Sequence, residues 1–221
     1  MNIVYRLLCI VIGYIFGLFQ TAFIYGKLHG IDIRDYGSGN AGTTNALRVL
    51  GKKAGLITYI GDCLKAVVAG FIIRFIFKSQ PDLEFVYVLY TGLGVVLGHN
   101  FPFFMGFKGG KGVAATSGVV IALLDIRVTL IGFVIFVAIC ALTRYVSLAS
   151  ILSVCSVPTS VIIFSNTGTV KGLTNDYKLE SYILLIIFAL FVIFRHRENI
   201  KRLLSGTERK LGVHEGEVQN G

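Results

Sequence analysis

The chain has 221 residues, of which 54% are hydrophobic and only 15% charged, and its formal net charge is +9. A soluble domain carries about 25% charged residues, so a soluble globular fold is excluded and an integral membrane protein is expected. The cations sit in short loops between apolar runs, a pattern of membrane topology and anionic ligands, so nucleic-acid binding is not expected.

Seven apolar segments follow one another at roughly 3–25, 55–77, 85–104, 113–124, 128–142, 147–165 and 181–194. They predict an all-α integral membrane protein of seven transmembrane helices. The first run lacks a preceding basic stretch and is too long for a secretory signal, so it is expected to remain as a span. The fourth, fifth and seventh segments are short, as in tilted or broken helices around a cavity. Of the 21 Lys and Arg, 14 fall on the side of the glycine-rich loops and the tail, 5 on the other side, and Lys65 and Arg74 within the second segment. That bias predicts an amino terminus outside and a carboxyl terminus in the cytoplasm.

The loop from Tyr36 to Gly55 crowds glycines with Ser38, Asn40, Thr43, Thr44 and Asn45, which can donate hydrogen bonds to an oxyanion or a polyol, and Arg48 offers a planar fork for phosphate. If 43–50 is helical, Thr44 and Arg48 share a face. A solvated Asn/Gly turn is the competing account. Asp62 and Lys65 stand inside the second apolar segment at a spacing of three, which suits either a structural ion pair or a substrate contact. Cys9, Cys63, Cys140 and Cys155 lie singly, with no Cys-x-x-Cys and no companion His, so neither a disulfide nor a metal site is expected.

The stretch from Gly98 to Val113 joins two apolar segments and holds Lys108-Gly109-Gly110-Lys111-Gly112. Glycines that take positive φ can turn successive N–H groups toward one anion, the lysines add full charges, and a helix starting at Val113 would aim its N-terminus at the same spot. The competing account is a positive-inside turn. A Walker A motif is excluded because Lys111 is followed by Gly112. Further on, Ser147 and Ser150 head the sixth segment, where N-capping is the simpler role. His196 and Asn199 follow the seventh at a spacing that shares one helix face. The chain has no Gly-x-Ser-x-Gly elbow, no His-Glu-x-x-His and no His-x4-Asp, so anion binding and positioning are what remain. Residues 1–204 are expected to form one transmembrane domain, and 205–221 a polar, frayed cytoplasmic tail.

Four stretches taken in order, Gly37-Ser38-Gly39-Asn40 through Asn45, Gly98-His99 through Ala114, Arg144-Tyr145-Val146-Ser147-Leu148, and Arg195-His196-Arg197 through Ile200, resemble the bacterial acyl-phosphate-dependent glycerol-3-phosphate acyltransferases, the PlsY family. The resemblance implies a seven-helix inner-membrane enzyme of phospholipid synthesis. It would move an acyl chain from acyl phosphate to the 1-position of glycerol 3-phosphate, giving lysophosphatidic acid without a cofactor. By resemblance, Ser38, Arg48, Lys108, Ser147, His196 and Asn199 surround the glycerol phosphate and the reacting carbonyl, with His196, Asn199, Lys108 and Ser147 catalytic. Gly109, Gly110 and Gly112 with Lys111 would hold the acyl phosphate, and Gly39, Asn40, Asn45 and His99 complete the substrate-binding set. The acyl tail would lie between helices. Partners implied are glycerol 3-phosphate, acyl phosphate, membrane lipid and the acyl-phosphate-forming enzyme. The substrate's own phosphate is the favoured proton acceptor, with His196 as the alternative. One departure is Ala115, where the family usually has Thr; Thr116 follows it. The rival reading is a secondary transporter or lipid-moving protein for phosphorylated metabolites. Polar groups gathered on one side, and no inverted repeat, speak against it.

Overall fold

The computed structural model describes residues 3–170 and 172–212, and these contain helices and turns but no strand. The polar stretch from 213 onward, expected as a frayed end, lies outside the described residues. The first apolar run is split into α1 (Ile3–Gly17) and α2 (Thr21–Leu28). A break inside a membrane leaves carbonyls that need donors. Gln20 Nε2 supplies one to Gly17 O at 3.0 Å, and Lys65 Nζ another to Phe19 O at 2.5 Å.

The second predicted span begins at 55, yet helix α3 runs over Thr43–Ile76 with a kink at Gly51, whose φ is +86°. The kink turns the polar piece 43–50 away from the spanning piece 52–76, and an apolarity rule registers only the latter. Helix α4 (Pro81–Asn100) follows, then the short α5 (Val113–Ala122), α6 (Ile126–Thr143), α7 (Val146–Asn166), α8 (Lys178–Arg195) and α9 (Arg197–Leu204). Among the described residues, six stretches are long and apolar enough to cross a membrane. The remaining predicted segment is α5, whose ten residues reach only about 15 Å, half of the roughly 30 Å hydrocarbon core.

Helix α4 is the central post: Phe85, Tyr87, Leu89, Val95 and Val96 along it are all nearly fully buried. By contrast α6 buries only Val128 and Gly132 and turns Phe133 and Leu142 outward, as a lipid-facing helix does. Helices α1 and α4 approach backbone to backbone through two glycine pairs spaced four apart, the small-xxx-small pattern. A Cβ at Gly13 would meet Thr91 O at 1.9 Å, and one at Gly98 would meet Tyr14 O at 2.3 Å. Gly98→Val is therefore expected to force the helices apart at a cost of about 1–3 kcal/mol. A lowered thermal midpoint in detergent is the check, and an unchanged one would refute the packing.

At the end of the bundle away from the glycine loop, buried Arg6 is held by Glu180 through Nε to Oε1 at 2.5 Å and Nη2 to Oε2 at 2.8 Å, and Tyr90 Oη donates to the same carboxylate. The pairing allows these charges to sit within apolar helices. The glycine-rich loops, the α6–α7 turn and α9 gather at the opposite end. There Arg195 of α8 donates to the glycine loop and Ser147 of α7 to Glu208.

Candidate functional site

Asn45 builds the first wall. Its Oδ1 accepts from Ser38 N at 2.8 Å, while Nδ2 donates to Ile33 O and Tyr36 O. Expected as a ligand donor, the Asn45 amide is committed to its own loop; it holds Ser38 at the edge of the cavities described below, and Asn40 Nδ2 in turn donates to Ser38 O at 3.1 Å. Gly39, at φ +69°, makes the turn between them and does not line either cavity. Because the kink at Gly51 isolates the piece 43–50, Thr44 and Arg48 share a face as expected and both line the larger cavity.

The second wall is the glycine loop, and its geometry differs from the expected amide nest. Of Gly109, Gly110 and Gly112, only Gly112 has positive φ, +82°. Gly109 N donates to Asn100 O and Gly110 N to His99 O, both at 3.1 Å, so these two amides dock the loop onto the end of α4. They must be glycine for lack of space: a Cβ would meet His99 O at 2.0 Å from Gly109 and His99 Nε2 at 2.1 Å from Gly110. Behind the loop Arg195 Nη2 donates to Gly109 O at 3.0 Å and Gly110 O at 2.9 Å. This clamp occupies both carbonyls with a guanidinium donor. The donors the loop offers to an anion begin after it, with the Lys111 ammonium and the amides of Lys111 and Gly112 leading into the N-terminus of α5.

The third wall comes from the carboxyl-terminal motif. His196, Asn199 and Ser147 are each more than nine-tenths buried, and they converge with Lys111. Lys111 Nζ donates to Asn199 Oδ1. His196 Nδ1 lies 2.8 Å from Val192 O, which can only accept, so the proton sits on Nδ1 and Nε2 carries the lone pair. Burial, reinforced by the Lys111 charge, pushes the His196 pKa down to about 4, so the ring is neutral at pH 7. Burial likewise pushes Lys111 down to about 8; Glu208 opposes this, while Arg202, Arg48 and Arg195 add to it.

Glu208 falls within the stretch expected as tail and is instead the hub of this wall. Its Oε1 accepts from Ser147 Oγ at 2.8 Å and Asn199 Nδ2 at 2.7 Å, and its Oε2 from Arg202 Nε at 2.8 Å. Burial pushes the carboxyl up, but those three donors more than offset it and leave the pKa below the usual range. Its stabilising contribution is therefore full above the ordinary carboxylate pKa and is lost as pH falls through the lowered one. Glu208→Ala leaves three donors unpaired, and a loss of about 3 kcal/mol in folding stability is expected. Thermal unfolding at pH 7 checks it, a shift no larger than that of a surface Glu→Ala being the contrary result.

Two cavities meet at this point. The larger, about 670 Å³, runs from His196 and Lys111 into an apolar slot between α3, α5, α6 and α7, walled by Leu56, Val120, Phe133 and Val154. The smaller, about 390 Å³, is polar and cationic, with Arg195, Arg197, Arg202 and Arg209. Ser38, Asn40, Arg48, Lys111, Asn199 and Glu208 line both and mark the junction. Gly112, His99, Ser147 and His196 join them from the larger cavity. Gly109 and Gly110 stand behind the wall, and Lys108 is exposed on the loop and lines neither cavity. The arrangement can hold an apolar chain in one compartment and an anion in the other, with their ends at one cluster of donors.

Residues 7–206 match the family model described as glycerol-3-phosphate acyltransferase. A glycerol-3-phosphate acyltransferase of Alkaliphilus metalliredigens is 42% identical over 211 residues, covering 94% of this chain and 96% of that protein. One from Clostridioides difficile is 40% identical over 213 residues, covering 96% and 98%. The fold also matches a crystal structure of PlsY (YgiH), an integral membrane glycerol 3-phosphate acyltransferase, in its glycerol 3-phosphate form. The TM-score is 0.80 at 37% identity, covering 94% of this chain and 96% of that one. The lysophosphatidic acid form of that enzyme matches with a TM-score of 0.79.

Proposed function

The chain belongs to the glycerol-3-phosphate acyltransferase family, and from that premise we propose that it takes its acyl group from acyl phosphate and places it on the 1-position of glycerol 3-phosphate. The products are lysophosphatidic acid and inorganic phosphate. The observation that carries this is the meeting of an apolar cavity with a cationic one at six shared residues. A fatty chain fits the first and glycerol phosphate the second, and Lys111 stands between the two phosphates.

The glycerol hydroxyl attacks the acyl carbonyl, the bond from that carbon to the phosphate oxygen breaks, and phosphate leaves with the electron pair. Acyl phosphate is already activated, so positioning and charge stabilisation supply the acceleration. Ser38, Arg48, Asn199 and Ser147 orient the glycerol phosphate, while Lys111 with the Gly112 amide neutralises the leaving phosphate. His196 Nε2 accepts the hydroxyl hydrogen bond and aligns it. The proton then passes to the substrate phosphate, whose second pKa near 6 makes it a stronger base than His196 at about 4. Lys108, outside the cavities, acts as a peripheral charge that draws anions to the loop. The helices and the turn that brings Glu208 back to Ser147 and Asn199 form one domain of the bacterial inner membrane, with the amino terminus outside, α5 completing a seven-helix bundle, and the site facing the cytoplasm. The acyl-phosphate-forming enzyme is the natural supplier of the donor.

Purified protein given palmitoyl phosphate and glycerol 3-phosphate together should yield lysophosphatidic acid and phosphate one to one, and neither substrate alone should react. Phosphate release without acceptor would contradict direct transfer. The pH profile separates the proton acceptors. At low substrate, kcat/KM should fall below about pH 6 as the substrate phosphate protonates. It should fall again above about 8 as the empty site's Lys111 loses its charge. An acid limb near 4 would move the proton to His196.

A further inference from the structure

Beneath the glycine loop lies a buried cluster that the proposed mechanism does not use. Asp62, Lys65 and His99 are exposed by only 1%, 6% and 2%. Lys65 Nζ stands 3.0 Å from Asp62 Oδ1, 2.5 Å from Phe19 O and 2.9 Å from His99 Nδ1. Thr21 Oγ1 donates to the same Asp62 oxygen at 3.0 Å. A lysine facing a carboxylate and a carbonyl is an ammonium, which has donors only. His99 Nδ1 must then accept, so the ring's single proton lies on Nε2. That nitrogen is the atom at 2.1 Å from the place of a Cβ on Gly110, it has no hydrogen-bond partner among the described residues, and His99 lines the larger cavity.

We propose that Lys65, anchored by Asp62, is a positioning residue that locks His99 as its Nε2–H tautomer, so that the imidazole donates a hydrogen bond past Gly110 to the bound acyl phosphate. The inference rests on the acyl-phosphate assignment above. Because the Asp62 and Lys65 charges cancel, His99 serves as a neutral donor and the net charge of the site comes from its other cations. The two histidines at the site are thus set oppositely. His99 presents a donor to the phosphoryl group, and His196, protonated on Nδ1, presents an acceptor to the hydroxyl.

The tautomer is read directly in the full chain labelled with 15N-histidine in lipid nanodiscs. Its four histidines are His29, His99, His196 and His214, and the His99 signals are those lost in His99→Gln. Nε2 should be of pyrrole type and Nδ1 of pyridine type, and a non-hydrolysable palmitoyl phosphonate should shift the Nε2–H signal. A proton on Nδ1, an imidazolium, or an Nε2 signal unmoved by saturating phosphonate would overturn the proposal.

Kinetics give the second arm. Lys65→Met should raise the KM for palmitoyl phosphate about tenfold, the value of one lost hydrogen bond to a charged group, with the KM for glycerol 3-phosphate little changed. In a His99→Gln background, where the new amide NH2 needs no tautomer fixed, Lys65→Met should add less than about twofold. A lysine that merely fills the α1–α2 break would raise both KM values together, or keep its full effect in the His99→Gln background; either result would refute the positioning role. Inactivity of the wild-type protein with palmitoyl phosphate would instead sink the donor assignment, while the phosphonate titration still decides the tautomer.

Discussion

Lys111→Ala is expected to lower kcat/KM for acyl transfer about a thousandfold, or roughly 4 kcal/mol in transition-state stabilisation. Among the described residues Lys111 is the one ammonium that lines both cavities, and it is held toward the junction by Asn199 Oδ1. Negative charge grows on the departing phosphate in the transition state, and a half-buried cation that has already given up part of its hydration acts strongly there. Lys111→Arg should recover little, because the fork of a guanidinium does not fit a point contact at the junction. Steady-state kinetics with palmitoyl phosphate provide the measurement. A Lys108→Ala control should fall much less, since Lys108 lines neither cavity. Equal losses in the two variants would mean that the loop acts through its overall charge.

His196→Ala should lower kcat by about two to three orders of magnitude, within the range for removal of a group that handles the attacking hydroxyl. The informative partner is His196→Gln. Its side-chain carbonyl can reach toward the place of Nε2 and accept a hydrogen bond but cannot take a proton. If His196 only aligns the hydroxyl, Gln should restore at least about tenfold of the loss, the value of one hydrogen bond to the attacking group. A glutamine variant as inactive as alanine, together with loss of an acid limb near pH 4, would make His196 the base.

Much of the site was legible because its residues stand in short motifs between apolar runs. Ser38, Arg48, Lys111, Ser147, His196 and Asn199 are separated by up to 161 positions in the chain, yet all line one cavity. What escaped was whatever depends on close packing. Gly109 and Gly110 read as flexible amide donors, but the feature that demands glycine there is the nearness of His99, which no local pattern reveals. Glu208 follows Gly206 in a polar stretch that reads as tail, and only the return of the chain to Ser147, Asn199 and Arg202 gives it a role. Arg195 reads as a topology charge and is a clamp on the loop carbonyls. Helix boundaries missed for a related reason. The polar piece 43–50 is helical but not apolar, and the α1–α2 break depends on Gln20 and on Lys65, 45 positions further along than that glutamine.

The most direct test of the central claim is donor choice. Purified protein in lipid bilayers would receive glycerol 3-phosphate with palmitoyl phosphate, palmitoyl-CoA or a palmitoyl acyl-carrier-protein thioester in separate reactions, and lysophosphatidic acid would be quantified. Product from palmitoyl phosphate alone, lost in both Lys111→Ala and Arg48→Ala, is the expected result. Product from a thioester at a comparable rate would contradict a junction built around two phosphates.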